Sequence, residues 1–140
     1  MLTIDANITA PRRQFGDMRA RAEGRGLMTI LARGLEEYER TMFATAGEGK
    51  WAPDDEETLA QKGGGRVLVD QGRLMRQLTH ARILSNDVAE VSRGTAFYGD
   101  FLRDGERGMP KRDPAPMPDQ RRLERWAEAV ALYITTGETS

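Results

Sequence analysis

The stretch GEGKWAPDDEETLAQKGGGRVLVDQGRL, residues 47–74, decides how the fold is interpreted. Trp51 stands between Gly49 and Pro53, so its ring can pack between a preceding helix and a following sheet while its indole N–H finds a carbonyl. A triple glycine then leads into residues 67–69, which are apolar and β-branched at two of three positions, and we expect a short strand there. Trp51 is therefore predicted to be a packing anchor.

Upstream of this stretch, apolar residues recur at three- and four-residue steps between about residues 12 and 46. This period predicts one long amphipathic helix. Its apolar positions are Leu27, Ile30, Leu31, Leu35, Tyr38, Met42 and Phe43. Because glycine costs about 1 kcal/mol inside a helix relative to alanine, we expect a kink or break near residues 24–26. Residues 2–8 alternate as a short strand would, before Pro11 ends the pattern.

Downstream, residues 74–84 alternate between two faces, which predicts a β-strand that begins at Leu74 and contains His80. Ser85, Asn86 and Asp87 form a turn signal before a second strand at residues 88–91. Gly72 permits the tight turn that starts this hairpin.

The remainder of the chain contains a predicted short helix or turn at residues 96–103, an extended arm at about residues 104–118, and a closing helix. Asp119 can cap the closing helix and Gly137 can end it. Its shared apolar face consists of Leu123, Trp126, Ala127, Val130, Tyr133 and Ile134. The sequence therefore predicts one α+β domain, with a long N-terminal helix and a C-terminal helix packed on a small antiparallel sheet that contains a β-hairpin.

Composition narrows the possible functions. The chain has 140 residues, 39% of them hydrophobic and 31% charged, which suits a single domain over residues 1–140. Its formal charge of −1 provides no overall field that would attract nucleic acid or an anionic membrane. The chain has no cysteine, so disulfide and thiol chemistry are excluded. We see neither a signal peptide nor a membrane-spanning run, and expect synthesis in the cytoplasm.

Candidate chemical motifs are weak. His80 is the single histidine, so a multi-histidine metal site or a Ser-His-Asp triad with a spare histidine cannot be built. The acids of residues 53–58 could bind a divalent cation, but they also suit the start of a short helix, which is the favoured interpretation. The KGGGR segment, residues 62–66, lacks the helix that should follow a phosphate-binding loop. We predict no catalytic residue, metal site or cofactor.

A series of short motifs runs in order between Phe43 and Ile134. The first part comprises Phe43, Gly49-Lys50-Trp51, Pro53, Thr58 and Lys62, and the second comprises Leu68, Gly72, Leu74 and Leu78. The third comprises Asp87-Val88, Val91 and Ala96 to Tyr98, and the fourth is Met109-Pro110-Lys111-Arg112. In this order and spacing the chain resembles the phage virion-morphogenesis family, the tail-completion, tail-terminator and neck proteins that join capsid to tail.

The resemblance implies an α+β fold, no catalysis, and a homo-oligomeric ring, commonly of six subunits, at the head-proximal end of the tail or in the neck. It implies a head-connector or stopper protein and a tail-tube protein as partners. It also implies assembly in the host cytoplasm and a final location in the virion. A small DNA-binding or regulatory protein, using the basic pairs Arg12-Arg13 and Arg121-Arg122, is the alternative, and a hydrolase is the third possibility.

The sequence predicts one group of residues that anchor the fold and another that lies at the subunit interface. The predicted structural anchors are Phe43, Trp51, Gly72, Leu74, Tyr98 and Trp126. The predicted subunit-interface residues are Gly63, Gly64, Gly65, Arg66, Arg107, Pro110, Lys111 and Arg112. The proline-rich arm has little entropy to lose on docking, and the planar fork of Arg112 can bind a carboxylate of a neighbouring subunit in bidentate fashion.

Overall fold

The computed structural model describes residue 3 and residues 9–69, 72–92, 102–105 and 110–139. Its elements are α1 (Thr9–Glu23), α2 (Arg25–Ala44), α3 (Glu56–Lys62), α4 (Arg73–Leu78), β1 (Arg82–Ile83), β2 (Ala89–Glu90) and α5 (Gln120–Thr136). Helices together with a small antiparallel sheet confirm the α+β class in this broad sense. The strand predicted at residues 2–8 falls almost wholly outside the described residues, and Tyr98 and Arg107 also lie outside them.

The predicted N-terminal helix is two helices, separated at Gly24. Gly24 has extended backbone angles, φ −91° and ψ 163°. A Cβ atom at this position would lie 2.9 Å from the carbonyl oxygen of Ala20, a distance that real Cβ atoms do not reach. Glycine thus allows the chain to leave α1 and start α2 at once, which is the break expected from the sequence.

Helix α5 packs antiparallel to α2, and small residues of α2 face aromatic residues of α5. A Cβ added to Gly26 would lie 2.2 Å from the hydroxyl of Tyr133, and one added to Gly34 would lie 3.2 Å from Nε1 of Trp126. The two glycines let the helices approach closely enough for these rings to lie across α2. The main partners of α5 are α1 and α2, whereas the sheet packs on α2.

The ends of α5 are those that the sequence predicts. The carboxylate of Asp119 accepts a 2.9 Å hydrogen bond from the backbone N–H of Arg122. Gly137 follows the helix in the left-handed conformation, at φ +80°. Arg21 of α1 then donates a 2.8 Å hydrogen bond to the carbonyl oxygen of Ile134. Carbonyls at a helix end lack partners within the helix, so this contact attaches α1 to the end of α5.

The predicted strand at residues 74–84 is wrong over most of its length. Residues 73–78 form helix α4, and the strands are two residues each, with Arg82 opposite Glu90 and Ile83 opposite Ala89. Leu74 and Leu78 are both buried while Arg76 is exposed, although a strand would place all three on one face. A spacing of four residues suits a helix equally well, and leucine, methionine, arginine and glutamine are good helix formers.

The structure also corrects the expectations for Gly72 and for residues 67–69. Gly72, at φ +72°, is the N-terminal cap of α4 rather than the start of the hairpin. Residues 67–69 form a turn instead of a strand, closed by a 3.1 Å hydrogen bond from Val69 N–H to the carbonyl of Arg66. Leu68 in this turn has a positive φ of 61°. His80 follows α4 and lies on the surface.

The core forms where α2, α4 and the segment after α2 meet. Its buried members are Tyr38, Met42, Phe43, Trp51, Leu74, Leu78 and Leu102. Phe43 and Leu74 are each only 1% exposed. Burial of apolar side chains is the main favourable contribution to folding, so this cluster fixes the position of the segments described next.

Candidate functional site

Trp51 lies in the core and holds the start of the loop that follows α2. The side chain is 7% exposed, and its ring meets Phe43 edge-on with 5.4 Å between the ring centroids. Its indole Nε1 donates a 2.9 Å hydrogen bond to the carbonyl oxygen of Asp113. Trp51 therefore fastens the arm around Asp113 to the core, and its polar N–H is satisfied despite burial.

The turn between α2 and Trp51 has an unusual backbone. Residues 46–49 all have positive φ angles, and two of these residues are glycine. A Cβ added to Gly47 would lie 2.5 Å from Cδ1 of Trp51, whereas one added to Gly49 would have no atom within 4 Å. Gly47 is therefore needed for both its backbone conformation and its lack of a side chain, and Gly49 for its conformation alone.

Arg112 is buried, and its guanidinium binds within its own chain. Nε donates a 2.6 Å hydrogen bond to the carbonyl of Ala52, and Nη2 donates a 2.7 Å bond to the carbonyl of Pro53. Nη2 also lies 3.5 Å from Oδ1 of Asp54. The prediction that Arg112 pairs with a carboxylate of a neighbouring subunit is therefore wrong, because acceptors of residues 52–54 already occupy its fork.

Asp54 also binds a second cation, so three charged side chains form one buried ion cluster. The ammonium Nζ of Lys62 lies 2.6 Å from Oδ2 of Asp54, and these two side chains are 9% and 5% exposed. The same ammonium donates a 2.7 Å hydrogen bond to the carbonyl of Arg66. One carboxylate cannot balance two cations, and backbone carbonyls accept the remaining hydrogen bonds of Lys62 and Arg112. The cluster of Asp54, Lys62 and Arg112 joins the loop at residues 62–66 to residues 110–119, which are the described end of the predicted arm together with the cap of α5 and are called the arm below.

The sequence does not distinguish Asp54 from the acids that follow it, because an acidic run is typical of a helix start. The other acids of that run behave as expected, since Asp55 caps α3 by accepting a 2.7 Å hydrogen bond from the N–H of Thr58. Hydrogen bonding to Thr58, first to its side chain and then to its backbone N–H, holds the pKa of Asp55 below its usual value. The spacing of Asp54 and Lys62, eight residues apart across a seven-residue helix, was the signal that could have suggested their pairing.

The triple-glycine loop is shaped by left-handed backbone conformations. Gly63, Gly64 and Gly65 have φ angles of 71°, 93° and 104°. Gly63 ends α3, and the N–H of Gly64 donates a 2.8 Å hydrogen bond to the carbonyl of Leu59. Gly63, Gly65 and Arg66 are exposed, and Gly64 is half-buried. Lys62 ends α3 and its Nζ binds the carbonyl of Arg66, so it contacts both ends of this loop, whose exposed residues lie between.

The arm at residues 110–119 is fixed to the body at several points and exposed between them. The hydroxyl of Tyr38 donates a 3.1 Å hydrogen bond to the carbonyl of Pro116. Pro110 and Lys111 are exposed, and the side chain of Met117 is 85% exposed. A largely exposed methionine beside fixed backbone is an apolar contact surface without a partner in the described part of the chain.

Arg122 connects the arm to the turn after α2. Its guanidinium contacts the carboxylate of Glu48, lies 3.3 Å from Asp119, and stands 5.1 Å from the centre of the Tyr38 ring. The hydrogen bond with Glu48 raises the pKa of Arg122 further above neutrality. The basic pair Arg121-Arg122 therefore contains one arginine whose charge is compensated within the chain.

Glu39 is a buried acid that the sequence reading overlooked. It is 1% exposed, and among the described residues its Oε2 has no hydrogen-bond partner. Burial, with a smaller contribution from the charge of Asp113, raises the pKa of Glu39 to about 8. The carboxyl is consequently protonated at neutral pH. Its position could have been found from the same period that places Leu35, Met42 and Phe43 on the apolar face.

The described residues contain no group of three or more histidine, cysteine or carboxylate side chains arranged to hold a metal ion. Nδ1 of His80 lies 2.7 Å from the carbonyl of Arg76, an ordinary contact at a helix end. Within the same ranges, none of the helices has the length and apolar character that crossing a membrane requires.

Comparison of the chain with protein-family models, with curated proteins and with solved structures gives no match. Function must therefore be inferred from the chain's own residues and their arrangement.

Proposed function

We propose that this chain is a structural protein of the phage virion, a tail-completion, tail-terminator or neck subunit. It forms a homo-oligomeric ring, of six subunits by the family's usual number, that joins the tail to the head connector. Its partners are neighbouring copies, a head-connector or stopper protein, and a tail-tube protein. The ring assembles in the host cytoplasm and ends in the virion.

The ordered motifs between Phe43 and Ile134 support this proposal most directly. Under this proposal, the family's long N-terminal helix corresponds to α1 and α2 together. The family's closing helix corresponds to α5. The segment Gly49-Lys50-Trp51-Ala52-Pro53 reads Gly-x-Trp-x-Pro in this chain. It supplies Trp51, whose ring is anchored in the core, and Pro53, whose carbonyl accepts a hydrogen bond from Arg112. The motif residues thus bind one another in this chain, which is a physical reason for them to occur together.

The buried ion cluster is the structural observation that carries the proposal. It fastens the loop at residues 62–66 and the arm at residues 110–119 to each other, and both segments present exposed residues. Segments that are ordered before association lose little conformational entropy on docking. The predicted contacts with neighbours then involve Gly63, Gly64, Gly65, Arg66, Pro110 and Lys111, with Arg112 holding the arm from inside; Arg107, also predicted, lies outside the described residues.

The DNA-binding alternative has less support. Arg122 is already paired with Glu48 and Asp119, and the formal charge of the whole chain is −1. A protein that binds nucleic acid mainly through phosphates requires several free cations on one surface. Arg12 and Arg13 on α1 are exposed and remain available.

One pair of assays separates the two functions. Particles that lack this protein should yield separate heads and tails, and adding the purified chain should join them. Binding to duplex DNA, measured across a range of salt concentrations, should be weak and without the steep salt dependence that phosphate contacts produce. Tight salt-sensitive DNA binding, together with failure to join heads and tails, would overturn the proposal in favour of the alternative.

A further inference from the structure

A cleft runs between α2 and α5 beside Trp126. Two adjoining cavities of about 170 Å³ and about 410 Å³ share the lining residues Gly34, Glu37, Trp126 and Ala129. Trp126 is half-buried, and its ring stands edge-on to Tyr38 with 6.2 Å between the centroids. Among the described residues, its indole N–H has no hydrogen-bond acceptor. A half-buried tryptophan that lines a cleft and has a free donor is typical of an interface residue.

The rim of this cleft carries unpaired positive charge. Arg33 lines the smaller cavity and Arg125 lines the larger one, and both side chains are exposed. Neither arginine forms an ion pair in the described part of the chain. Glu37 is the acid that lines both cavities, so the rim has one more positive than negative charge when these three residues are counted.

Helix α3 has the complementary character. Glu56 and Glu57 are exposed and, within the described ranges, form no ion pair. Leu59 is 38% exposed and lies three residues after Glu56, so the two share a helix face. Apart from the side chain of Lys62 at its last position, α3 presents its residues to the surface, and neither α2 nor α5 is among its main packing partners. The exposed side of α3 therefore carries Glu56 beside Leu59, with Glu57 on the opposite flank, where it accepts a 3.3 Å hydrogen bond from Gln61.

We propose that the cleft between α2 and α5 receives helix α3 of a second copy of this chain. Leu59 of the incoming helix packs against Trp126 where it lines the cleft, and Glu56 and Glu57 approach Arg33 and Arg125. Charge complementarity selects this occupant, because among the described residues the two arginines of the cleft rim and the two glutamates of α3 form no ion pairs. The acids of α3 in one copy thus supply the negative charge that the arginines of the cleft lack in the next copy.

The two surfaces are different, so the contact is heterologous, and such contacts produce rings when the rotation between subunits closes. The inference deepens the proposed function and rests on its self-association, not on its phage context. It adds a second contact between neighbouring copies to the contacts proposed above for the loop at residues 62–66 and the arm at residues 110–119.

Two charge-reversal variants test the contact without disturbing the core. The cleft variant is Arg33→Glu with Arg125→Glu, and the helix variant is Glu56→Lys with Glu57→Lys. Each variant alone places like charges opposite each other, so we expect the concentration at which the oligomer dissociates to rise by at least ~100-fold. An equimolar mixture should restore the wild-type mass, because the acidic cleft of one variant then meets the basic helix of the other.

The measurement is multi-angle light scattering after size exclusion, with circular dichroism melts to show that every variant folds. The matched control is Arg13→Glu with Arg73→Glu, which reverses two exposed arginines away from the cleft and should leave the mass unchanged.

If both variants keep the wild-type oligomeric mass, the cleft is not the contact between subunits, and the proposal that the chain forms a ring is unaffected. If each variant dissociates but the mixture does not reassociate, the two surfaces do not bind each other and the pairing is overturned. If the wild-type chain is a monomer at every concentration, the self-association in the proposed function fails, and this contact fails with it.

Discussion

Arg112 and Asp54 lie together inside the protein, with 3.5 Å between Nη2 and Oδ1 and with side chains only 7% and 5% exposed. Lys62 approaches the same carboxylate from the other side at 2.6 Å. Buried charges are tolerated when each has partners of good geometry, and here two backbone carbonyls bind the guanidinium as well. The loop and the arm depend on this cluster for their positions.

Replacing Arg112 with methionine should destabilise the protein strongly. The variant Arg112→Met keeps much of the side-chain volume but leaves the carbonyls of Ala52 and Pro53 without their donor. We expect a loss of about 3–5 kcal/mol in the free energy of unfolding, the range for removing one partner of a buried pair. Urea denaturation measures this loss. The exposed neighbour is the control, since Lys111→Met should change stability by no more than about 0.5 kcal/mol. Equal effects of the two substitutions would contradict the buried cluster.

Truncating Trp51 should remove both packing and a hydrogen bond. Trp51→Ala is expected to cost about 3–5 kcal/mol, the usual range for a buried large aromatic side chain. Trp51→Phe should cost less, because it keeps part of the contact with Phe43 and loses mainly the bond to the carbonyl of Asp113. Thermal and urea unfolding should rank the proteins in the order wild type, Phe variant, Ala variant. An unchanged melting temperature for Trp51→Ala would show that the ring is not in the core.

Two glycines of one turn should respond differently to the same substitution. Gly49→Ala should cost about 1–2 kcal/mol, since only the left-handed conformation opposes it. Gly47→Ala has the same conformational cost and also places Cβ 2.5 Å from the Trp51 ring, so its cost should be clearly larger. Denaturation curves of the two variants make the comparison. Equal losses would mean that the ring does not pack against Gly47.

Glu39 should make stability depend on pH in the direction opposite to that of a paired carboxylate. Its pKa is raised from 4.5 to about 8 on folding, so between these values the folded protein keeps a proton that the unfolded chain releases. This contribution to stability is complete below pH 4.5, is lost as pH rises, and falls by at most about 1.4 kcal/mol per pH unit for one proton.

The variant Glu39→Gln cannot ionise and should lack this component of the pH dependence. Glu37→Gln, on the exposed face of the same helix, should retain it. Urea midpoints collected from pH 4.5 to pH 9 provide the comparison. A wild-type profile that coincides with the profile of Glu39→Gln would show that the carboxyl is not buried as a protonated acid.

Local signals in the sequence were sufficient where a local interaction decides the structure. Asp119 and Gly137 set the ends of α5 through a cap and a left-handed residue, and the glycines near residue 24 divide the N-terminal helix. The interval from Leu74 to Leu78 was ambiguous, because a spacing of four residues fits either a strand face or a helix face. The helix buries both leucines where α4 packs against α2.

The partners of Arg112 could not be found by local reasoning. Its acceptors lie about 60 residues earlier in the chain, and nothing near Arg112 distinguishes an arginine that binds its own chain from one that awaits a neighbour. Glu39 was missed for a different reason. A helical period locates the apolar face of α2 but does not show whether a single acid on that face is buried.

The mass and shape of the purified chain test the central claim most directly. Native mass spectrometry combined with electron microscopy should show a closed ring, with six subunits as the expected number and one subunit mass of 15.7 kDa as the repeating unit. A monomer that persists at high protein concentration, or an open filament without a fixed number of subunits, would contradict the account of this protein as a ring-forming subunit.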